Sequence, residues 1–257
     1  DQIALIINPY WSNYEEIGFL GAWLIVLGYS YQIYFDFSGY SDMAVGLGRL
    51  LGFKLPRNFH LPYTAKNVSD FWKRWHISLS KWLRDYLYIG LGGSHNGILY
   101  TLRNLMITML LGGLWHGANW TFVFWGAYHG FLLILYHLIR KYNLFFFIND
   151  RASRFCTFIL VIIGWVFFRS ESMSKAIYIL KSMSGLNEHG NGFWLEINVG
   201  FNVILLFILS SILAHFVKDT WDIKWQFSKK LLIAFSSILV LCILMINQGS
   251  EFLYYQF

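Results

Sequence analysis

Charge is scarce in this chain. Only 13% of its 257 residues are Asp, Glu, Lys or Arg, about half of the ~25% usual in soluble globular domains. Acid is scarcer than base, 14 residues against 20, for a formal net charge of +6. The basic residues sit between apolar runs rather than in one patch, so no nucleic-acid partner is expected. There are two cysteines, Cys156 and Cys242. Both fall inside apolar runs, so they are expected to be buried small hydrophobes rather than a disulfide or a metal pair. No His/Cys/Asp/Glu cluster has metal-ligand spacing, and no zinc is expected. The stretch "LGRLLG" at 47–52 lacks the lysine and the strand context of a phosphate-cradling loop. No internal repeat or low-complexity tract stands out, and no cleavable signal segment is visible. Asp1 opens in mid-pattern without an initiator methionine, so the chain reads as a fragment of a longer one.

What is abundant is apolar and aromatic surface, 56% and 20% of the residues. That composition is a membrane protein's. Six runs, near 19–38, 98–114, 118–139, 155–169, 195–217 and 231–246, are long enough or nearly so to cross a bilayer, which takes roughly 17–25 residues. Irregular backbone cannot face lipid, so the spans are expected to be helices and the fold all-α. Lys and Arg then orient them. Residues 1–16 carry none, 54–103 carry eight, 140–154 four and 218–230 four. One alternating topology fits: 1–16 outside, 54–97, 140–154 and 218–230 inside, and the tail after 246 outside. It turns the 114–118 corner outward.

The stretch 40–97 is no ordinary loop. Trp72, Trp75, Leu79 and Trp82 follow helical spacing among Lys73, Arg74, Lys81 and Arg84. This predicts an interfacial or re-entrant helix with Ser69 or Asp70 at its N-cap. Pro56 and Pro62 keep the preceding segment irregular, and "LGG" at 91–93 ends the helical pattern. Membrane lipids are implied partners of the basic side chains.

Polar residues in such surroundings need a reason. Asp36 lies at the end of the first predicted span and Asp42 six residues on; each either caps a helix or pairs with an arginine, takes a direct part in chemistry, or lines a cavity. His76 and Ser80 are four apart and can share a helix face, extended by Arg84. They form either a polar seam against the bundle or a cytoplasmic pocket for a phosphate-bearing donor. "GGLWHGANW", residues 112–120, sets His116 between tryptophans and glycines. An imidazole titrates near neutrality and can take and return a proton; the alternative is a structural histidine. Trp115, Asn119 and Trp120 are expected to wall the His116 cavity, with Asn119 placed to donate to a developing oxyanion. His129 could reach the same cavity or be a packing histidine.

Several long stretches carry a family resemblance. "QIYFDFSGYSDMAVGLGRLLGF", "NFHLPYTAKNVSDFWKRWHISLSKWLRDYLYIGLGG", "LLGGLWHGANWTFVFWGAYHG" and "GWVFFR" resemble the membrane-bound O-acyltransferase family. They are most similar to its bacterial branch of alginate and peptidoglycan O-acetyltransferase membrane subunits. "EFLYYQF", at the end, resembles that branch's aromatic ending. The resemblance implies a polytopic helical bundle of that family's type in the bacterial inner membrane, of which residues 1–257 are the C-terminal part of a single transmembrane domain. It implies His116 as the catalytic histidine and His76 as a second functional one. The acyl donor is acetyl-CoA, with no permanently bound cofactor. Arg84, Lys73 and Ser80 lie on the donor side. The implied partners are an extracytoplasmic O-acetyltransferase protein and a polysaccharide acceptor. Two other readings stand beside this one: D-alanyl transfer to teichoic acid from a carrier-protein thioester, and a non-enzymatic transporter.

Overall fold

The computed structural model describes residues 2–144, 149–187, 200–223, 226 and 228–245. Among these, the regular structure is all helical, and ten α-helices succeed one another along the chain. They are α1 (Gln2–Ser12), α2 (Phe19–Leu50), α3 (Val68–Trp72), α4 (Ile77–Trp82), α5 (Ile98–His116), α6 (Trp120–Lys141), α7 (Asp150–Arg169), α8 (Met173–Met183), α9 (Phe201–His215) and α10 (Lys229–Met245). The chain is a polytopic membrane bundle. Helices α5, α6 and α7 are each long and apolar enough to cross a bilayer, and α9 is a shorter apolar helix. The predicted tail and its aromatic ending lie outside the described residues.

The six apolar runs correspond to α2, α5, α6, α7, α9 and α10, with residues 195–199 of the fifth run and 246 of the sixth outside the described residues, and with two differences. The 155–169 run starts earlier, at Asp150, where Asn149 caps the helix by accepting from the Ala152 amide at 2.9 Å. The first run continues far beyond residue 38. Helix α2 has 32 residues, about 48 Å at 1.5 Å per residue. Asp36 therefore lies inside α2 rather than at its end.

Loop contacts obey an alternating topology. On one side Lys66 meets Asp150, and Arg57 pairs with Asp219 at 2.6 Å and with Asp222 at 3.3 Å. On the other, Asn119 donates to the Glu171 carbonyl at 2.9 Å, Tyr178 to the Glu15 carbonyl at 2.7 Å and Arg169 to Asn8 at 3.2 Å. The first set brings together segments expected to share the inside, and the second brings residues 1–16 and the α5–α6 corner to the same end of α7.

Helices α5 and α6 approach most closely. A Cβ on Gly113 would lie 2.3 Å from the Phe122 carbonyl oxygen, and one on Gly126 2.4 Å from that of Met109. Only glycine permits this separation. Neither cysteine is buried: Cys156 and Cys242 are exposed on α7 and α10. In a bilayer the outer face of a helix is itself an apolar environment, so an apolar run does not imply interior burial.

Candidate active site

The segment between α2 and α5 plunges into the bundle. Lys66 meets Asp150, the first residue of α7. Nine residues later Trp75 packs on Trp165, with ring centroids 4.8 Å apart. Asp150 and Trp165 are separated by about 22 Å along α7, most of a hydrocarbon core of about 30 Å. The segment is thus re-entrant, as one of the two expectations had it.

Its internal structure departs from the predicted single helix. Asn67, not Ser69 or Asp70, caps α3, its Oδ1 accepting from the Asp70 amide at 2.8 Å. Asp70 instead pairs with Arg74 at 2.8 Å. The helix then breaks, and His76 adopts a left-handed conformation with φ 41 and ψ 58. A non-glycine residue there is uncommon and must be held by its surroundings. The holding bonds come from a distant strip of chain. The Ile77 amide donates to the Asn58 carbonyl at 2.9 Å, and the His60 amide to the Arg74 carbonyl at 2.9 Å. Asn58 Oδ1 accepts from the Ser78 amide at 3.1 Å and from Ser78 Oγ at 3.0 Å.

The break changes the partner of His76. Its Nδ1 lies 3.4 Å from Ser78 Oγ. Ser80 Oγ donates instead to the Trp75 carbonyl at 3.0 Å, so the expected His76–Ser80 helix face does not form. The imidazole stands edge-on to Phe37, centroids 4.7 Å apart.

His116 is the last residue of α5, and Gly117 ends the helix. The imidazole is half-buried in an aromatic box. Trp115 and Phe168 stand 4.9 Å away, Trp125 5.3 Å and Phe122 6.2 Å, centroid to centroid. An aromatic wall joins the two histidines' neighbourhoods, from Trp75 to Trp165 and from Trp165 to Trp125 at 6.2 Å.

The three expected wall residues have separate placements. Trp120 is 71% exposed at the start of α6 and Trp115 59% exposed. Trp120 suits a headgroup-level anchor rather than an enclosed wall; Trp115 borders His116 from an open side. Asn119 caps α6, its Oδ1 accepting from the Thr121 amide at 3.1 Å while its amide nitrogen donates to Glu171. One N–H of its amide is thereby engaged in fixing the corner.

Below His116, between the re-entrant segment and the α5–α6 pair, lies a cavity of about 400 Å³. Lys73, Lys81 and Arg84 are on its lining with Ser80, Trp72 and Leu83. A second cavity of about 500 Å³ shares Ser69, Leu105, Leu133 and His137 with it and adds Arg140 and Lys141. Among the described residues neither lining contains a carboxylate. Arg84 is partly neutralised by Asp85 at 2.7 Å, and that bond holds the Asp85 carboxyl below the usual carboxylate range.

Asp36 and Asp42 line neither cavity. Asp42 is exposed and accepts from the Trp221 indole at 2.9 Å, a structural tie between α2 and the 219–222 turn. His129 is fully buried against Phe71, Trp72 and Trp125, one helical turn from Trp125. A Cβ on Gly164 would lie 2.7 Å from its Nε2, so it is wedged between α6 and α7. Sequence reasoning passed over Asn58, Ser78, Trp125, Trp165 and Phe168; for Trp125, its place one turn before His129 was the available signal.

Residues 4–177 match the membrane-bound O-acyltransferase family. The chain belongs to that family. It is 54% identical over 162 residues to a probable alginate O-acetylase of Azotobacter vinelandii, covering 60% of this chain and 31% of that protein. It is 47% identical over 176 residues to a peptidoglycan O-acetyltransferase of Helicobacter pylori, covering 67% of this chain and 33% of that protein. A teichoic acid D-alanyltransferase of Bacillus subtilis is 37% identical over 131 residues, 48% of this chain and 33% of that protein. The chain thus spans about a third of the length of these curated relatives.

Proposed function

We propose that this chain is the catalytic part of an O-acetyltransferase of the bacterial inner membrane. The enzyme takes an acetyl group from cytoplasmic acetyl-CoA and passes it to a hydroxyl of an extracytoplasmic polysaccharide, alginate-like or peptidoglycan, with an extracytoplasmic partner protein. The observation that carries this reading is the placement of His116. It ends a membrane helix at the corner between α5 and α6, in an aromatic box, about two helical turns along α5 from a cavity lined with cations. The names of the Azotobacter and Helicobacter relatives support the acetyl group and the glycan.

The chemistry follows from those positions. His116 removes the proton of the acceptor hydroxyl. The oxygen attacks the thioester carbonyl, a carbon–oxygen bond forms, and the carbon–sulfur bond breaks. The imidazolium returns its proton to the departing thiolate. On its closed sides, formed by Phe122, Trp125 and Phe168, the aromatic box keeps water from the imidazole, which strengthens the electrostatic contacts of the developing charge there. Lys73, Arg84 and Ser80 hold the donor's phosphates, a task suited to several N–H and O–H donors. His76 borders the same site. Trp115 flanks His116 on the open side, while Asn119 is a positioning residue that fixes the corner.

The test is reconstitution of the intact protein in liposomes, with and without its partner. Labelled acetyl-CoA is supplied outside or inside, with alginate and peptidoglycan fragments as acceptors. Label on one glycan is the expected result. The Bacillus relative favours a second reading, D-alanyl transfer to teichoic acid. Transfer from a loaded carrier protein and none from acetyl-CoA would replace the first reading by the second.

A further inference from the structure

The stretch 56–60, "PRNFH", forms no helix. Pro56 has no amide hydrogen, and it keeps Leu55 out of the helical region. The backbone groups of the strip need partners elsewhere, and they find them on both sides of His76. The Asn58 carbonyl accepts from the Ile77 amide, and the His60 amide donates to the Arg74 carbonyl. The Phe59 ring stands 5.0 Å from Phe37 and 5.0 Å from Trp75. Phe37 in turn faces the His76 imidazole. The place of this strip therefore sets the place of His76.

Two side chains fix the strip itself. Asn58 Nδ2 donates to Ser41 Oγ of α2 at 3.3 Å. Arg57 Nε donates to the Phe59 carbonyl at 2.6 Å, which closes a ring of chain around Asn58. The remaining guanidinium nitrogens hold the turn between α9 and α10, through Asp219 at 2.6 Å and Asp222 at 3.3 Å. An ion pair in open water is worth little. The Arg57 and Asp219 side chains are only 19% and 9% exposed, so water screens this one weakly. The turn is fastened further. Its Trp221 lies under the Arg49 guanidinium, 5.0 Å from ring centroid to carbon, and donates to Asp42. Asp222 also meets His60 Nε2 at 3.2 Å.

We infer that the 219–222 turn is a latch on the re-entrant segment, and that Arg57 is the positioning residue through which it holds His76. This rests on the reading of His76 as functional in transfer. The spacing of Trp72, Trp75, Leu79 and Trp82 favours one continuous helix, and the left-handed residue at the break is strained. Both pull toward closing the break. The latch opposes them from a part of the chain far away in sequence. Releasing it lets Asn58 drift and His76 leave its place.

The experiment uses the intact protein in nanodiscs and reads two quantities. Hydrogen exchange at the Ile77 and Ser78 amides reports the hold on the break. The kcat of transfer, with acetyl-CoA or with a loaded carrier protein if that is the active donor, reports its consequence. Arg57→Ala is expected to speed that exchange at least tenfold while the amides of α5 and α6 stay protected. It should lower kcat by about tenfold to a hundredfold, the scale set by a misplacement of about 1 Å. In a His76→Ala background the same change should lower kcat no further, because Arg57 acts through His76. Asp219→Asn combined with Asp222→Asn should reproduce both effects in weaker form. Its carboxamide at 219 still accepts from the Trp221 amide, as the carboxylate does at 3.0 Å, so this variant decides where Arg57→Ala does not fold. Unchanged exchange in the latch variants overturns the inference. So does a kcat loss that adds in full to that of His76→Ala, or faster exchange with undiminished kcat where His76→Ala is itself impaired. If His76→Ala transfers as well as wild type, the reading of His76 has failed instead, and the exchange rates alone decide whether the latch exists.

Discussion

His116 and Trp125 stand at right angles, with ring centroids 5.3 Å apart and an interplanar angle of 90°. The indole comes from α6 and the imidazole from the end of α5. Trp125 also packs on Trp165, Phe168 and His129. One side chain therefore couples the candidate base to three elements: α5, α6 and α7. Among the described residues, aromatic rings rather than a carboxylate surround the imidazole.

Replacing His116 by Ala should abolish acyl transfer while the protein still inserts and folds. A positioned general base contributes typically 10²–10⁴-fold, so the loss should be at least a hundredfold. Ester formation on the glycan, measured beside a folding control such as size-exclusion behaviour in detergent, reads this directly. A folded variant with near wild-type ester formation would remove His116 from the chemistry.

The α5–α6 contact gives a paired prediction. Gly126→Ala puts a Cβ 2.4 Å from the Met109 carbonyl, where backbone cannot yield cheaply. It should destabilise by about 1–3 kcal/mol, the usual cost of overpacking. Gly46→Ala, in α2 with nothing within 4 Å of its added Cβ, should be neutral or stabilise by up to about 1 kcal/mol through helix propensity. Thermal unfolding in detergent should separate the two. Equal effects would mean that the helices are not in close contact at Gly126.

How much of this was readable from residues alone differs by element. Helices α5, α6 and α7 were legible because a long apolar run in a membrane protein has no alternative to a helix. His116 was legible because glycines and tryptophans isolate it. The break at Lys73–His76 was not. Trp72, Trp75, Leu79 and Trp82 fit one continuous helix, and what overrides that spacing is long-range: Asn58 and His60 bond to Arg74, Ile77 and Ser78. The length of α2 was hidden because Asp36 and Asp42 look like an end. The exposed cysteines reverse a rule that holds only in water.

The donor side carries the next prediction. Lys73 and Arg84 share the cavity lining, while Asp85 already occupies one edge of the Arg84 guanidinium. Lys73→Ala should raise the apparent KM for acetyl-CoA severalfold with little change in kcat, the signature of lost uniform binding. Arg84→Ala should do the same to a smaller degree. Steady-state kinetics in liposomes check this. Unchanged donor affinity in both variants would reduce them to headgroup anchors that snorkel to the interface.

Asn119 allows its two jobs to be told apart. Its Oδ1 caps α6 and its amide nitrogen holds the Glu171 carbonyl. Asn119→Asp keeps the cap acceptor and loses the donor to Glu171. Asn119→Ala loses both. If the residue acts by fixing the corner that carries His116, stability should fall in steps. The Ala variant should lose about 0.5–2 kcal/mol from the cap, plus the cost of leaving the Glu171 carbonyl without its donor. The Asp variant should lose the second part alone. Transfer should fall in parallel with that order, and kcat of the Asp variant should stay within about tenfold of wild type. A direct oxyanion donor behaves otherwise: its removal costs about 10²–10³ in kcat even where the fold is intact. An Asp variant that is as stable as wild type but has lost at least a hundredfold in kcat would overturn the positioning role and return Asn119 to the reacting centre.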